Sequence, residues 1–232
     1  MKKTIFLIPV FVCLLFSPAA QNKQLLTIRF EHRFGNKKLH PEETYYLNNT
    51  DTLTVNRFKY YVSHLQLVNT AGKVFIPENE YYLVDMADEK SCSIQIQVPP
   101  GSYTGIRFMM GVDSIRNVSG VQTGSLDPLH GMFWTWNSGY IMAKLEGTAS
   151  SSMIAGKRFT YHIGGFRQKN NTTRMIELKT EPLSKLLVII ADAAKWFEGM
   201  NIAKEPVCHS AGALAVRFAD NYSKMFSIEP SK

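Results

Sequence analysis

The stretch that decides the fold is TIRFEHRF, at residues 27–34, in which polar and apolar side chains alternate. Ile28, Phe30, His32 and Phe34 share one parity, whereas the residues between them are polar or charged. Successive side chains of a β-strand point to opposite faces of the sheet, so this alternation predicts a strand with one buried face. His32 is the polar member of the otherwise apolar row.

The same two-residue period recurs along most of the chain. A long run rich in Tyr, Val and Leu spans residues 53–68, and shorter candidates follow at residues 81–86, 93–98, 106–110, 133–136, 140–145, 158–163, 175–178 and 186–191. Gly- and Pro-containing turns separate several of these runs. About ten short strands at this spacing are typical of a β-sandwich or barrel. We therefore predict an all-β fold with antiparallel strands.

Helical patterns are confined to the C-terminal part of the sequence. Apolar residues recur at every fourth position within residues 211–226, namely Leu214, Phe218, Tyr222 and Phe226. This spacing predicts a short C-terminal helix packed over one end of the sheet. Residues 214–218 also alternate, which leaves a short strand as the alternative. Residues 192–197 begin with an aspartate that can cap a second short helix.

The N-terminus has the features of a secretory signal peptide over residues 1–20. Two lysines precede an apolar run at residues 5–16, and small residues follow at 17–20. An apolar run of about 12 residues is too short to span a bilayer, so we expect cleavage and no stable membrane span. The sequence thus predicts a periplasmic or secreted protein, with residues 21–232 forming a single domain.

Two cysteines remain after the predicted signal peptide, Cys92 and Cys208. An oxidising compartment permits a disulfide between them. The sequence alone does not establish that their Cα atoms approach within bonding distance. A disulfide and a pair of buried free thiols are therefore both open at this stage.

Charge and motifs exclude several classes of function. Without Lys2 and Lys3, 24 basic and 19 acidic residues remain, a net charge of +5 that is spread over the chain. Nucleic-acid binding usually needs clustered basic residues with interleaved aromatics, so we expect no nucleic-acid partner. The sequence has no nucleophile elbow, no phosphate-binding glycine-rich loop and no His-Glu-x-x-His motif. We accordingly expect no enzymatic activity from this chain alone.

Three histidines and two tryptophans are the candidate functional residues. His32 suits either a core histidine or a metal ligand in a dry pocket, because neutral imidazole is a ligand for copper and zinc. His162 lies on the strand face opposite an apolar row, and His209 directly follows a cysteine. Trp134 and Trp136 share one face of their predicted strand. They suit core packing, a binding groove or a pair of oxidisable indoles.

A family resemblance covers nearly the whole chain after the signal peptide. The motifs that carry it include Gly111-Val112-Asp113-Ser114, Gly120-Val121-Gln122-Thr123-Gly124, Gly131-Met132-Phe133-Trp134-Thr135-Trp136-Asn137-Ser138-Gly139-Tyr140, Lys144-Leu145-Glu146-Gly147, His162-Ile163-Gly164-Gly165 and Ala219-Asp220-Asn221-Tyr222. The sequence resembles the MbnP-like family of exported copper-binding proteins, which are named after a partner in methanobactin operons. The Met-Phe-Trp-x-Trp block is the most specific of these motifs.

The resemblance implies a β-rich exported protein that binds copper for storage, delivery or sensing. It also implies that a partner di-haem peroxidase of the MbnH type oxidises one tryptophan, Trp134 or Trp136, to kynurenine. The implied copper ligands are His32, His162 and His209. The alternative is a β-sandwich module without metal, in which exposed tryptophans bind a glycan or a protein partner.

Overall fold

The structure, a computed structural model, describes residues 23–136, 139–183 and 185–229, so the predicted signal peptide at residues 1–20 lies outside the described part of the chain. Strands dominate these residues. In chain order they are β1 (Gln24–Phe34), β2 (Lys37–Lys38), β3 (Thr44–Tyr46), β4 (Thr52–Asn69), β5 (Val74–Phe75), β6 (Tyr81–Asp85), β7 (Ser93–Val98), β8 (Tyr103–Met110), β9 (Phe133–Trp134), β10 (Gly139–Ala149), β11 (Arg158–Gly164), β12 (Arg174–Leu183), β13 (Leu186–Asp192), β14 (Val207–Cys208) and β15 (Phe226–Ile228). The α-helices described are α1 (Ser114–Val118) and α2 (Ala213–Tyr222).

The strands form two sheets that pack into a sandwich. The first sheet has the order β15-β13-β1-β2, with β7 also paired to β1. The second has the order β12-β8-β4-β10-β11-β14, and the short strands β3, β5, β6 and β9 pair with β4 or β10. One apolar core contains residues from both sheets. The prediction of a β-sandwich with a short C-terminal helix is confirmed.

Strand direction departs from the sequence prediction in two places. Strand β1 runs parallel to β13, and β11 runs parallel to β14. The other pairs are antiparallel in the described residues, so the sheets are mixed, with antiparallel pairs in the majority. Alternating polarity indicates which face of the sheet a residue occupies, but it does not indicate the direction of the neighbouring strand. A parallel pair needs only a long connection, which the chain between β1 and β13 supplies.

The sandwich interior follows the parity read from residues 27–34. Ile28, Phe30, His32 and Phe34 are all buried. The Phe30 ring meets those of Tyr60, Phe108 and Phe226 edge to face, at centroid distances of 6.0, 6.0 and 6.3 Å. Edge-to-face contacts are favourable for aromatic pairs at such distances. The alternating row of β1 is therefore the wall of the core on the first sheet.

The predicted helices also form. Helix α2 (Ala213–Tyr222) lies within the predicted residues 211–226, with Phe218 and Tyr222 fully buried. The Phe218 ring packs on Tyr161 of β11, with centroids 4.2 Å apart. Residues Ala193–Phe197 form a 3-10 helix, and the Asp192 side chain accepts a hydrogen bond from the Ala194 amide as its N-cap. Within the described residues, no helix has the length and apolar character that crossing a membrane requires.

The long connection between β8 and β9 is ordered around one buried asparagine. It contains α1 and two 3-10 turns, Gly124–Leu126 and Pro128–His130. The Asn117 amide donates to the Val112 and Asp113 carbonyls, and its side-chain oxygen accepts from the Tyr140 amide at 2.8 Å. Such satisfied buried polar groups fix a local conformation. Asn117 thereby holds the connection against β10, close to the hairpin of β9 and β10 that carries Trp134.

Both cysteines described are free thiols, and both are buried. Cys92 precedes β7 in the first sheet, and Cys208 belongs to β14 in the second. Of the two possibilities left open by the sequence, the structure has the pair of buried thiols.

Candidate metal site

The candidate site lies on the outer face of the second sheet, where β10 pairs with β11. Lys144 is the register partner of His162, and Glu146 is the partner of Thr160. Residues on these parities face away from the core because Phe159, Tyr161 and Ile163 point inward. The outer face of this hairpin therefore presents a lysine, a glutamate and a histidine close together.

Glu146 holds His162 in a defined tautomer. The His162 Nε2 lies 2.6 Å from Glu146 Oε1, and Arg57 Nη1 lies 2.7 Å from the other carboxylate oxygen. The hydrogen bond from His162 is the main factor lowering the pKa of Glu146, so the carboxyl group is ionised at neutral pH. An ionised carboxylate only accepts hydrogen bonds, so Nε2 carries the proton. In the neutral ring, the lone pair is then on Nδ1.

The parallel strand β14 brings a second histidine to this face. Thr160 pairs with Val207, and Tyr161 pairs with Cys208. The residues that follow, His162 and His209, are therefore neighbours on adjacent strand ends. The His162 and His209 rings stack with centroids 4.7 Å apart and an interplanar angle of 26°. Desolvation, and then the neighbouring His162, lower the pKa of His209, which favours the neutral imidazole. Neutral imidazole is the form that binds a metal.

The tryptophans lie beside the start of β10, the strand that carries Glu146. Trp134 ends β9 and pairs with Gly139 of β10. Its ring rests on Gly164, since a Cβ built there would lie 2.7 Å from Trp134 Cζ3. Gly164 is two residues beyond His162 on β11 and hence on the same face. The indole of Trp134 and the imidazole of His162 therefore occupy one surface.

The second tryptophan covers the first. The Trp134 and Trp136 rings are 5.4 Å apart with an interplanar angle of 37°. Trp134 is 5% exposed, whereas Trp136 is 66% exposed. The predicted strand over residues 133–136 is shorter than expected, because β9 ends at Trp134 and residues 135–136 form a turn. The turn still leaves the rings adjacent, with one buried indole behind one exposed indole.

A small cavity lies between Trp134 and the segment that carries His209. Its volume is about 130 Å³, and Trp134, Gly165 and Ala211 contribute to its wall. Ala211 is two residues beyond His209. Lys144 fixes the approach to the hairpin, because its Nζ donates to the Gly131 carbonyl at 2.5 Å. Gly131 adopts a φ of 70°, a left-handed conformation that favours glycine at the end of the preceding 3-10 turn.

His32 is separate from the histidine pair. It is 7% exposed and lies in the sandwich interior, where its Nε2 is 3.2 Å from the Tyr60 hydroxyl and its ring centroid is 5.1 Å from that of Phe58. His162 and His209 lie on the outer face of the second sheet, so that sheet separates them from His32. The structure thus brings together two of the three histidines implied by the resemblance.

The comparisons with known proteins agree with this architecture. The sequence model of the MbnP family matches residues 23–210, which is well over half of the chain. The chain belongs to the MbnP family. Its fold is similar to that of MbnP from Methylosinus trichosporium, with a TM-score of 0.63 and 16% sequence identity over 84% of this chain and 87% of that chain. No protein with curated annotation matches the sequence. The resemblance predicted from the motifs is confirmed.

The donor set of this MbnP-family chain suits copper better than a harder metal. In the described ranges, no group of three or more His, Cys, Asp or Glu side chains is arranged to hold a metal ion. Two stacked imidazoles nevertheless offer nitrogen ligands, which copper accepts readily. A histidine that ligates a metal commonly donates its other N–H to a carboxylate, and His162 makes this contact with Glu146. His162 and His209 therefore fit copper as a two-histidine ligand set.

Two residues of this site were not among the sequence candidates. Glu146 orients His162, and Gly164, which has no side chain, leaves room for the Trp134 ring. Both occur in motifs that carried the family resemblance. The outward parity of Glu146 beside Lys144 was a usable signal, whereas the role of Gly164 depends on how β9 folds back over β11.

Proposed function

We propose that this protein is an exported copper-binding protein whose site is the His162–His209 pair on the outer face of the second sheet. The observation that carries the proposal is the stacked pair of rings, with Glu146 bonded to one of them. Membership of the MbnP family supports the choice of copper. Bound copper would be stored, delivered or sensed in the periplasm or outside the cell.

The ligands would be His162 Nδ1 and a nitrogen of His209. Glu146 keeps the proton on His162 Nε2 and so leaves Nδ1 available to the metal. The lowered pKa of His209 favours the neutral form of its ring at neutral pH. The carboxylate contact and the ring stacking therefore hold both imidazoles in position before a cation arrives.

The neighbouring tryptophans are the proposed sites of oxidation. Trp136 is exposed enough for a partner haem peroxidase to remove an electron from it, and Trp134 stacks directly behind it. Two equivalents of hydrogen peroxide, the oxidant of a peroxidase, would convert one indole to N-formylkynurenine and two waters. Hydrolysis would then release the formyl carbon as formate, so that the kynurenine residue has gained one oxygen and lost one carbon. Because Trp134 shares a face with His162, modification of this pair would change the copper site itself.

Copper titration tests this function. The full chain is produced with a di-haem peroxidase of the MbnH type, and copper uptake is measured by equilibrium dialysis. We expect His162→Ala and His209→Ala to lose the copper bound at this face. His130→Ala is the matched control, because His130 is exposed and bonds only to the Gly124 carbonyl within the described structure. Unchanged uptake in both site variants would contradict the proposal.

The exposed indole favours a second candidate function. Trp136 presents a large apolar surface that suits a glycan or a protein partner in the absence of metal. Tryptophan fluorescence distinguishes the two functions. A change that requires copper supports the metal site, whereas a ligand-dependent change in metal-free protein supports the binding module.

A further inference from the structure

A cluster of polar side chains lies where β4 and β6 meet the long connection between β8 and β9. The Tyr81 hydroxyl donates a hydrogen bond to Asp113 Oδ2, and His64 Nε2 lies 3.0 Å from the same oxygen. The Arg116 amide donates to the other carboxylate oxygen at 3.0 Å. Tyr81 is buried, whereas Asp113 and His64 are partly exposed. A buried phenol and an imidazole therefore share one carboxylate oxygen.

The backbone of β4 is distorted where it makes this contact. The pairing of β4 with β8 is irregular between Ser63 and Gln66, and His64 adopts a φ of 50° within that irregularity. A left-handed φ is uncommon for a residue other than glycine, and irregularities of this kind redirect a side chain. The distortion brings the His64 ring to Asp113, which is thereby bonded from both β4 and β6.

The charge states of Tyr81 and Asp113 suit proton transfer between them. Burial opposes ionisation of Asp113, but hydrogen bonds from Tyr81, the Arg116 amide and His64 outweigh it and lower the pKa of the carboxyl group. Burial and the adjacent carboxylate raise the pKa of Tyr81, so the phenol keeps its proton at neutral pH. The Arg116 guanidinium lies 5.6 Å from the centroid of the Tyr81 ring. This positive charge disfavours a cationic ring, so an electron would leave Tyr81 together with the phenolic proton.

Tyr81 belongs to the same apolar cluster as Trp134, which is distinct from the main core. The cluster also contains Tyr61 and Tyr140, whose rings meet edge to face with centroids 5.8 Å apart. The Tyr61 hydroxyl is buried without a partner among the described residues, and the Tyr140 hydroxyl donates to the Leu126 carbonyl at 2.9 Å. A carbonyl is a much weaker base than a carboxylate. Of these three tyrosines, only Tyr81 has its hydroxyl bonded to a base.

We propose that Tyr81 is a redox-active tyrosine that returns an electron to the tryptophan pair after the pair has lost one. This step rests on the proposed oxidation of Trp134 or Trp136. A one-electron oxidant, such as an oxidised peroxidase haem, first takes one electron from an indole. Tyr81 supplies one electron through the aromatic cluster, and its O–H bond breaks as the proton passes to Asp113. The indole is restored, and a neutral tyrosyl radical remains beside a protonated carboxyl group.

This direction of transfer is favourable because a phenol that loses its proton together with an electron is oxidised more easily than an indole. The transfer competes with the chemistry that converts the indole to kynurenine. Tyr81 would therefore limit the oxidation of the tryptophan pair, and its removal should increase the yield of oxidised tryptophan.

The experiment is photochemical oxidation of the full chain by ruthenium tris(bipyridine) and persulfate, followed by rapid freezing and electron paramagnetic resonance. Tyr46→Phe is the background of every variant, because Tyr46 is 74% exposed and the oxidant would attack it directly. We expect a tyrosyl radical, identified by the narrower signal of protein that contains ring-deuterated tyrosine. Tyr81→Phe should abolish this signal and leave a tryptophanyl radical. Tyr45→Phe is the matched control, because Tyr45 is also buried but its hydroxyl bonds to backbone groups.

Asp113→Asn tests the proton acceptor separately. Asparagine caps a helix as well as aspartate does, so α1 should keep its N-cap while Tyr81 loses its base. We expect this variant also to lose the tyrosyl signal, and mass spectrometry should detect more oxidised tryptophan in it than in the background protein. Circular dichroism establishes that each variant is folded, and Asp113→Asn decides the outcome if Tyr81→Phe is unfolded.

The proposal is overturned if the background protein forms no tyrosyl radical. It is also overturned if folded Tyr81→Phe or folded Asp113→Asn retains the tyrosyl signal of the background protein. The ruthenium complex takes the place of the peroxidase, and no copper is added. The redox role of Tyr81 and the proposed copper site therefore succeed or fail separately.

Discussion

Replacing Gly164 by alanine should damage both stability and the tryptophan site. The added Cβ would lie 2.7 and 2.8 Å from two ring carbons of Trp134, and 2.8 Å from the Tyr140 carbonyl oxygen. These separations are well below van der Waals contact, and the carbonyl belongs to a paired strand that has little freedom to move. Overpacking of this kind costs about 1–3 kcal/mol in the free energy of unfolding.

In a domain of this size, that cost lowers Tm by about 2–4 °C per kcal/mol, which a thermal scan measures readily. The indole must also lift away from His162, so we expect reduced copper uptake and reduced kynurenine formation. Gly105→Ala is the matched control. Its Cβ would meet nothing nearer than Val68 Cβ, at 3.4 Å. Equal Tm values and equal copper uptake in the two variants would refute this account of Gly164.

Four further substitutions test the site and the core. Glu146→Gln should reduce copper affinity at the histidine pair about 10–100-fold, measured by competition with a chelator, because His162 loses its carboxylate partner. Burial lowers the pKa of His32 from 6.5 to about 4. The unfolded chain therefore takes up this proton first as the pH falls. The free energy of unfolding should therefore be at its full value above pH 6.5. It should decrease towards pH 4 by at most about 1.4 kcal/mol per pH unit. Urea unfolding of His32→Gln should lack this slope, and an equal slope would argue against a buried neutral imidazole. Trp136→Phe should change the free energy of unfolding by no more than about 0.5 kcal/mol, because Trp136 is exposed, whereas Trp134→Ala should cost about 3–5 kcal/mol. Equal thermal stabilities of these two variants would contradict the assignment of Trp134 as the buried ring.

Side-chain parity predicted the fold because burial repeats with the period of the strand. It placed His32 in the core row of β1 and His162 opposite the apolar row of β11, and both placements are confirmed. The same parities imply that the two histidines lie on different sides of the second sheet. The family resemblance implied that both histidines bind one copper ion, whereas side-chain parity indicated that they lie apart.

Contacts between distant segments were beyond the reach of sequence patterns. His209 stacks on His162 only because β14 pairs in parallel with β11, and no periodicity encodes that pairing. The seat of Trp134 on Gly164 likewise depends on a two-residue strand. Membership of the MbnP family was predicted from motifs and is confirmed. Copper binding and the oxidation of tryptophan stay predictions.

The most direct test of a copper site at His162 and His209 is the copper content of the chain under native conditions. Native mass spectrometry is applied to the full chain produced with its peroxidase partner. We expect one bound copper ion, which is lost when His162→Ala and His209→Ala are introduced together. Protein that carries no copper, or that keeps its copper without both histidines, would contradict a copper site at this histidine pair.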